Sequence, residues 1–428
     1  MNQKLARLEK AHRALREQVS ELDQLAGQSP PEQSRRLRVY GFFDVNFRYI
    51  RFSDEGLGRL LSHDDPMFVF GNLNIYFDAR PSPNWRFMTE IRFLLNPVGD
   101  TMTMENPLTG ESYEGVDTLT ADALYPFDEF NFGAIEIERA HVTWQRLDWL
   151  RITMGLYLTP FGVWNVDHGS PTRATALTPI IYATSAAAFF PERQLGIKVH
   201  GQVQLDDVDL DYEVTLSNGA GTAATLVDPD KDKALGGRIR LGGRWPCLWK
   251  LGLSGYAGRK SAFKQRIALA PTFALVRELT VASSTYSLGL DLAATWGPWV
   301  FQAEVAAGWV DFEAGHRPEA IRGPGTYTAD RFQWGAYGFL GYELPFSWIA
   351  LRPYFSFNWV SPDDNLPKDF AYAATGGLAL RPAHSVVMKV EYTFSAVESE
   401  ADIAALAFRD SKLKDESHNL YIQIAVAF

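Results

Sequence analysis

Residues 37–52 read Leu-Arg-Val-Tyr-Gly-Phe-Phe-Asp-Val-Asn-Phe-Arg-Tyr-Ile-Arg-Phe. The odd-numbered positions as far as Tyr49 carry apolar side chains or glycine, whereas the even-numbered positions include Arg38, Asp44, Asn46 and Arg48. Successive side chains of a β-strand point to opposite faces of the sheet. The stretch therefore predicts one long strand with an apolar face and a polar face.

The same period of two recurs along the chain. Val208, Leu210 and Tyr212, for example, alternate with Asp209 and Asp211. The pattern predicts about sixteen strands, with boundaries good to about 2–4 residues. They lie near 37–52, 67–80, 84–95, 134–144, 149–157, 194–204, 207–217, 234–243, 248–259, 285–296, 299–310, 332–344, 348–359, 370–381, 385–395 and 419–428.

The connections between these strands alternate between short and long. The long ones run from about ten to about forty residues. A soluble β-sandwich has no reason to keep its long loops at one end, whereas a membrane β-barrel has short turns on one side, long loops on the other and an even number of strands. The short turns lie at 80–83, 145–148, 206–207, 245–247, 297–298, 345–347 and 381–384.

The width of such a barrel determines whether the apolar or the polar face of the sheet lines the interior. About sixteen strands enclose an interior too wide for side chains to fill, so an apolar interior is excluded. The apolar face must then point out to lipid, and a closed sheet leaves no backbone group unpaired in hydrocarbon. No run of about eighteen apolar residues predicts a membrane-spanning helix. We therefore predict an all-β transmembrane barrel over residues 37–428.

Tryptophan placement agrees with this orientation. Eight of the 12 Trp residues lie beside the short turns. Aromatic rings with a polar tip are enriched where lipid meets water, so this set predicts one interfacial belt. Tryptophans of an ordinary core would instead be scattered along the strands. The eight residues are Trp85, Trp144, Trp149, Trp245, Trp249, Trp296, Trp299 and Trp348.

Composition excludes several classes of protein. The 428 residues include 41 Lys and Arg against 51 Asp and Glu, a net charge of −10 that argues against a nucleic-acid partner. The single cysteine, Cys247, excludes a disulfide framework and a Cys-rich metal site. There is no Gly-x-Ser-x-Gly elbow and no His-x-x-x-His pair. We therefore predict no enzymatic activity, metal or cofactor.

The first residues follow a different period. Leu5, Leu8, Leu15, Val19 and Leu22 fall on heptad a and d positions with charged residues between them, which predicts a coiled-coil helix over residues 1–28. A linker over 29–36 contains two prolines. A single amphipathic helix packed on its own chain is the alternative. The segment lacks the apolar core of a secretory signal, which leaves two interpretations: a leader has been removed, or this sequence starts downstream of one.

These features resemble Gram-negative outer-membrane porins. The last residues, 421–428, read Tyr-Ile-Gln-Ile-Ala-Val-Ala-Phe, and in this family a terminal Phe, here Phe428, is the assembly signal. The segment 155–162, Gly-Leu-Tyr-Leu-Thr-Pro-Phe-Gly, is similar to the start of the third loop in phosphate-selective and related porins. The N-terminal coil resembles the periplasmic stalk of DcaP-like porins. The resemblance implies a homotrimer in the outer membrane, with the N-terminal helix in the periplasm and lipid and lipopolysaccharide around the barrel.

The third long connection, 157–194, is where porins fold a loop into the lumen. Such a loop narrows the pore and places charges where permeant ions lose water. The residues expected at this constriction are Asp167, His168, Arg173, Glu192 and Arg193. A surface loop with solvated charges is the alternative.

The polar strand positions predict the pore wall. The basic candidates are Arg38, Arg48, Arg86, Arg92, Arg151, Arg238 and Arg240. A nearly equal number of carboxylates share these faces, so net wall charge selects neither sign, and the cluster on the first and third strands suggests a mild preference for anions.

Two hypotheses follow for function. The first is a water-filled diffusion channel for small hydrophilic solutes. The second is a tether whose coiled coil binds a periplasmic or cell-wall partner.

Overall fold

A computed structural model gives the fold of the chain. It describes residues 37–53, 66–94, 101–105, 112–116, 134–166, 169–183, 189–221, 232–268, 274–313, 330–346, 348–364, 368–399 and 413–428. The predicted coiled coil, with Leu5, Leu8, Leu15, Val19 and Leu22, lies outside these residues. No helix in the described ranges is long and apolar enough to cross a membrane.

Sixteen antiparallel strands form one closed barrel, as predicted. In chain order they are β1 (Leu37–Phe52), β2 (Met67–Ser82), β3 (Trp85–Leu94), β6 (Ala134–Trp144), β7 (Arg151–Leu158), β8 (Arg193–Leu205), β9 (Val208–Ser217), β11 (Ala234–Gly243), β12 (Leu248–Ala268), β13 (Ala274–Trp296), β14 (Trp299–Phe312), β15 (Asp330–Tyr342), β16 (Ala350–Ser361), β17 (Phe370–Ala383), β18 (Val386–Ser399) and β19 (Leu413–Ala427).

Three short strands and one helix complete the described elements. The strands β4 (Thr101–Glu105) and β5 (Ser112–Val116) form a separate hairpin. The two-residue β10 (Ala220–Gly221) pairs with β12 in parallel. One helical turn, α1 (Ile180–Ala183), lies between β7 and β8. The hairpin, β10 and the extension of β12 and β13 beyond residues 259 and 285 were not predicted from the sequence.

The two faces of the strands are oriented as predicted. Outward positions carry exposed apolar side chains, among them Phe68 at 80% and Ile135 at 71%. Inward positions carry charged side chains that are fully buried, such as Asp44, Glu90 and Glu391. An exterior this apolar requires a hydrocarbon solvent, because a soluble protein rarely exposes a continuous apolar surface of this size.

Aromatic residues mark both edges of the apolar band. Beside the short turns, Trp149, Trp296 and Trp299 are exposed. At the opposite edge, the Trp309 and Phe332 rings lie 5.1 Å apart. Trp299 and Trp309 are ten residues apart on β14, which at ~3.3 Å per residue and a tilt of ~40° gives about 25 Å. This is the height of the apolar band of a transmembrane barrel.

The two ends of the chain close the sheet. β1 pairs with β19 from Phe42 opposite Ala427 to Phe52 opposite Ser417. The seam ends with Gly41 and Phe428, whose backbone N–H and C=O groups exchange two hydrogen bonds of 3.0 Å. A Cβ atom on Gly41 would lie 2.9 Å from the Phe428 ring and 2.2 Å from the Asn74 carbonyl oxygen. Glycine is therefore required where the first strand meets the last residue.

We predict that Gly41→Val weakens barrel closure. The added side chain overfills the seam, at a cost of about 1–3 kcal/mol. Heat-dependent migration in SDS gels and urea unfolding should both show a less stable barrel. The matched control is Gly338→Val, because a Cβ atom at Gly338 has no neighbour within 4 Å. Equal stability of the two variants would contradict the prediction.

Candidate functional site in the barrel lumen

The connection between β7 and β8 contacts the inward face of the barrel. Its described residues are 159–166, 169–183 and 189–192; Asp167 and His168 lie outside them. We call this segment the inner loop. Its hydrogen bonds to the barrel include bonds to carboxylates on three different strands.

The first anchoring carboxylate is Glu304 on β14. It accepts hydrogen bonds from the Trp164 backbone N–H (2.8 Å), the Tyr337 hydroxyl (2.5 Å) and the Tyr182 hydroxyl. Gly162 has a φ of +62°, and a Cβ atom there would lie 2.0 Å from a Glu304 oxygen. Glycine allows the loop backbone to turn against the carboxylate.

The second anchoring carboxylate is Glu391 on β18. The backbone N–H groups of Ala176 and Leu177 donate to its two oxygens at 2.5 and 3.1 Å. The Tyr354 hydroxyl on β16 donates to it at 2.5 Å. Beside it, the Lys389 ammonium donates to loop carbonyl oxygens. Hydrogen bonds to a charged group are stronger than neutral ones, so this pair of side chains holds the middle of the loop firmly.

The third anchoring carboxylate is Asp44 on β1. The Ser170 hydroxyl of the loop donates to it at 2.5 Å. The side-chain amides of Asn46 and Asn72 donate at 2.8 and 3.2 Å. A buried carboxylate is costly unless such donors surround it. The three anchors therefore tie the loop to points on β1, β14 and β18.

Apolar packing adds to the attachment. Phe161 and Phe190 of the loop stack at 4.1 Å between ring centroids. They belong to a buried cluster with Trp164, Ile181 and Phe189. The barrel side of the cluster comprises Ala234, Tyr256, Ala306, Tyr337 and Val360. Burying an aromatic or aliphatic side chain stabilises by about 1.5–3 kcal/mol, so this cluster holds the loop against β11–β16.

The wall from β2 to β11 carries ion pairs instead. Each pair joins neighbouring or nearby strands, so opposite charges stand close together along this wall. Opposite Glu90, a β-bulge in β6 leaves Glu138 without a cross-strand partner, and both Glu138 and Arg139 form ion pairs with β3 residues. The pairs are Arg86–Asp78 (2.8 Å), Arg92–Glu138 (3.0 Å), Arg139–Glu90 (2.6 Å), Arg193–Glu136 (2.5 Å), Arg193–Glu138 (3.1 Å), Lys198–Glu213 (2.8 Å) and Arg240–Asp211 (2.5 Å).

The remaining predicted wall residues have varied surroundings. Arg38 and Arg48 lie on the face of β1 that carries Asp44. Arg238 is buried in a 2.6 Å ion pair with Asp291. Arg151 pairs with Asp148 in an exposed short turn.

The predicted constriction residues on the loop differ in their partners. Glu192 is about half exposed and lies 3.4 Å from Arg193. The Arg173 guanidinium lies 5.3 Å from the centre of the Trp164 ring. Burial, with a contribution from nearby Arg92, lowers the pKa of Arg173 to about 10, so the side chain stays charged at neutral pH.

Sequence reasoning placed the anchoring carboxylates on the pore wall but missed their role. It also missed the tyrosine hydroxyls of Tyr182, Tyr337 and Tyr354. Tyr337 and Tyr354 occupy inward strand positions, where a tyrosine needs a polar partner, and this signal could have identified them. Within the described residues, no group of three or more His, Cys, Asp or Glu side chains could hold a metal ion.

Comparison with known proteins finds solved structures that resemble the chain in fold, but it finds no relative by sequence. No protein-family model matches the chain, and no curated protein matches it in sequence. The anion-selective porin from Comamonas acidovorans has a TM-score of 0.53 at 11% identity, covering 92% of this chain and 99% of that one. The outer membrane channel DcaP of Acinetobacter baumannii has a TM-score of 0.51 at 14% identity, covering 92% and 97%. OmpTdeltaL8, a loop-deletion mutant of the outer membrane protein OmpT of Vibrio cholerae, has a TM-score of 0.52 at 10% identity, covering 92% and 99%.

These structural similarities cover nearly the whole of each chain, and at identities of 10–14% they show the fold alone. The resemblance to DcaP-like porins expected from the sequence is thereby confirmed for the barrel, as a matter of fold. The chain has the 16-stranded barrel fold of the outer-membrane porins.

Proposed function

We propose that the chain forms a water-filled diffusion channel for small hydrophilic solutes across the outer membrane. The observation that carries the proposal is the inner loop, which is anchored along β11–β18 and β1 and leaves the ion-paired wall of β2–β11 opposite it. Several members of these ion pairs, among them Arg86, Arg240 and Asp211, are partly exposed, which suits contact with water. We propose no enzymatic activity for the chain. We place it in a membrane that contains lipid and lipopolysaccharide.

The narrowest part of this path is proposed to lie where the loop faces β3 and β6. Arg173 of the loop is an electrostatic neighbour there of Arg92, Glu138 and Glu192. Charges on two sides of a narrow passage act strongly on an ion that has shed water. Asp167 and His168 remain predicted members of this constriction.

A mild preference for anions is the finer part of the proposal. The ion pairs along β2–β11 cancel one another, so any bias must come from cations without a carboxylate partner. Among the described residues, Arg38 and Arg173 form no ion pair. The exposed Arg38 guanidinium supports the preference, because the anchoring carboxylates Asp44, Glu304 and Glu391 are buried in hydrogen bonds to the loop.

A homotrimer held partly by residues 1–28 is also proposed, with Phe428 as the assembly signal. The alternative function is a tether, in which the same N-terminal segment binds a periplasmic or cell-wall partner. A channel needs only the barrel, whereas a tether needs residues 1–36. The effect of removing these residues therefore distinguishes the two functions.

Planar bilayer recording tests the channel and the trimer together. We predict stepwise conductance that closes in three equal steps, and a reversal potential in a KCl gradient that favours chloride slightly. A protein lacking residues 1–36 should still conduct. Absence of conductance from correctly folded barrels would contradict the channel, and single closing steps would contradict the trimer.

We predict that Glu304→Gln loosens the inner loop. Replacing the carboxylate by a neutral amide weakens three hydrogen bonds, each worth about 1.5–3 kcal/mol when one partner is charged. The open-channel current should then become noisier and its mean conductance should change. The control is Asp211→Asn on the opposite wall, which leaves the loop attached. Current noise equal to that of the unmodified channel would contradict the assigned role of Glu304.

A further inference from the structure

Two stacked tyrosine rings line the lumen on the short-turn side of the inner loop. Tyr40 on β1 and Tyr76 on β2 lie opposite each other in the register of these strands. Their rings are 4.9 Å apart between centroids, with 3° between the ring planes. A Cβ atom on Gly169 of the loop would lie 3.5 Å from the Phe42 ring, so the loop reaches β1 at the inward position next to Tyr40. The tyrosine stack, Tyr40 and Tyr76, thus lies on the lumen wall directly beside the loop.

The two rings of this stack differ in how far they are covered. Tyr76 is only 8% exposed, because the Arg139 guanidinium lies 5.4 Å from its ring centre and the Phe42 ring lies 6.3 Å away. Tyr40 is 37% exposed. The last strand, β19, pairs with β1 only from Gly41 onward, so Tyr40 has a neighbouring strand on one side alone. One face of the Tyr40 ring is therefore covered by Tyr76, and the other is open to the lumen.

Positive charge lies beside the open ring. Arg86 on β3 donates to both carboxylate oxygens of Asp78 at 2.8 and 2.9 Å and lies next to the Tyr40 hydroxyl. Arg38 is exposed and lies opposite Asp78 in the register of β1 and β2. Asp78 is already held by Arg86, and Arg38 forms no ion pair with any described residue. Two guanidinium groups and one carboxylate therefore leave a positive charge next to the uncovered face of Tyr40.

We propose that this part of the lumen wall is a binding subsite for aromatic carboxylates. The ring of the solute continues the tyrosine stack on the open face of Tyr40, in the offset arrangement that aromatic pairs prefer. Its carboxylate pairs with the Arg38 guanidinium, whose planar fork of N–H groups matches a carboxylate. An aliphatic acid would use the arginine but leave the tyrosine ring uncovered. The inference rests on the proposed function, because a solute reaches Tyr40 only through an open lumen.

Benzoate and cyclohexanecarboxylate are matched probes for the subsite. They have the same charge and nearly the same size, but only benzoate has an aromatic face. The cyclohexane ring is the more hydrophobic of the two, so a preference for benzoate reports ring stacking and not apolar burial. Titration calorimetry of the full-length protein in detergent should give a Kd for benzoate about twofold to tenfold lower than for cyclohexanecarboxylate.

Substitutions then assign the two contacts. Tyr40→Leu should remove the difference between the acids, and Arg38→Gln should weaken the binding of both. The control is Tyr49→Leu, on the outward face of the same strand, which should change neither Kd. Undetectable benzoate binding, equal affinity for the two acids, or a benzoate preference that survives Tyr40→Leu would overturn the proposal. If Tyr40→Leu does not fold, an unchanged benzoate Kd in Arg38→Gln overturns it instead.

The subsite and the channel fail in different ways. Conductance in potassium chloride is recorded without any aromatic acid, so it tests the channel alone. A protein that conducts but binds the two acids equally retains the channel and loses the subsite. A folded barrel that binds benzoate through Tyr40 but carries no current retains the subsite and loses the channel.

Discussion

The whole structure depends on the inability of hydrocarbon to hydrogen-bond a peptide group. Every backbone N–H and C=O group within the bilayer must find a partner in the sheet, so the sheet has to close. Closure is achieved between β1 and β19, where Gly41 accommodates the Phe428 ring and backbone. Once sixteen strands are joined in a ring, the interior is too wide to be filled by wall side chains, and it must hold water or an inserted segment.

The lumen meets that requirement differently on its two sides. On one side, Glu304, Glu391 and Asp44 accept hydrogen bonds from the inner loop, and the Phe161–Phe190 cluster packs beneath it. On the other side, arginines and lysines pair with carboxylates of the wall. Buried charge is tolerated on the loop side because hydrogen-bond donors surround it, and on the other side because an opposite charge is close. The loop is therefore fixed to one side of the lumen, and the ion-paired wall forms the other side.

The sequence predicted the features that depend on neighbouring residues. The strand at 37–52, the strand at 134–144 and the tight turns match the structure, because period-two alternation and turn residues are local signals. The inward position of residues such as Arg92 and Asp211 followed from the same alternation. Pairing partners did not follow, because they depend on register and on bulges such as the one in β6 opposite Glu90.

Contacts between distant parts of the chain were beyond sequence reasoning. Tyr182 and Glu304 are 122 residues apart, and Ala176 and Glu391 are 215 apart. Nothing local in either partner indicates such a contact. The long β12–β13 hairpin continues beyond the residues that alternate between apolar and polar side chains. This alternation located the membrane-spanning part of the hairpin and gave no signal for the remaining residues.

Alternating cysteine labelling along β9 tests the orientation of the two faces most directly. In a Cys247→Ser background, cysteines replace Asp209 and Asp211 on the inward face and Val214 and Leu216 on the outward face. With the protein in lipid vesicles, the first two should react with a membrane-impermeant maleimide, and a fluorophore at the other two should be quenched by brominated lipid. The opposite pattern, or no alternation, would contradict a barrel with an apolar exterior and a wet interior.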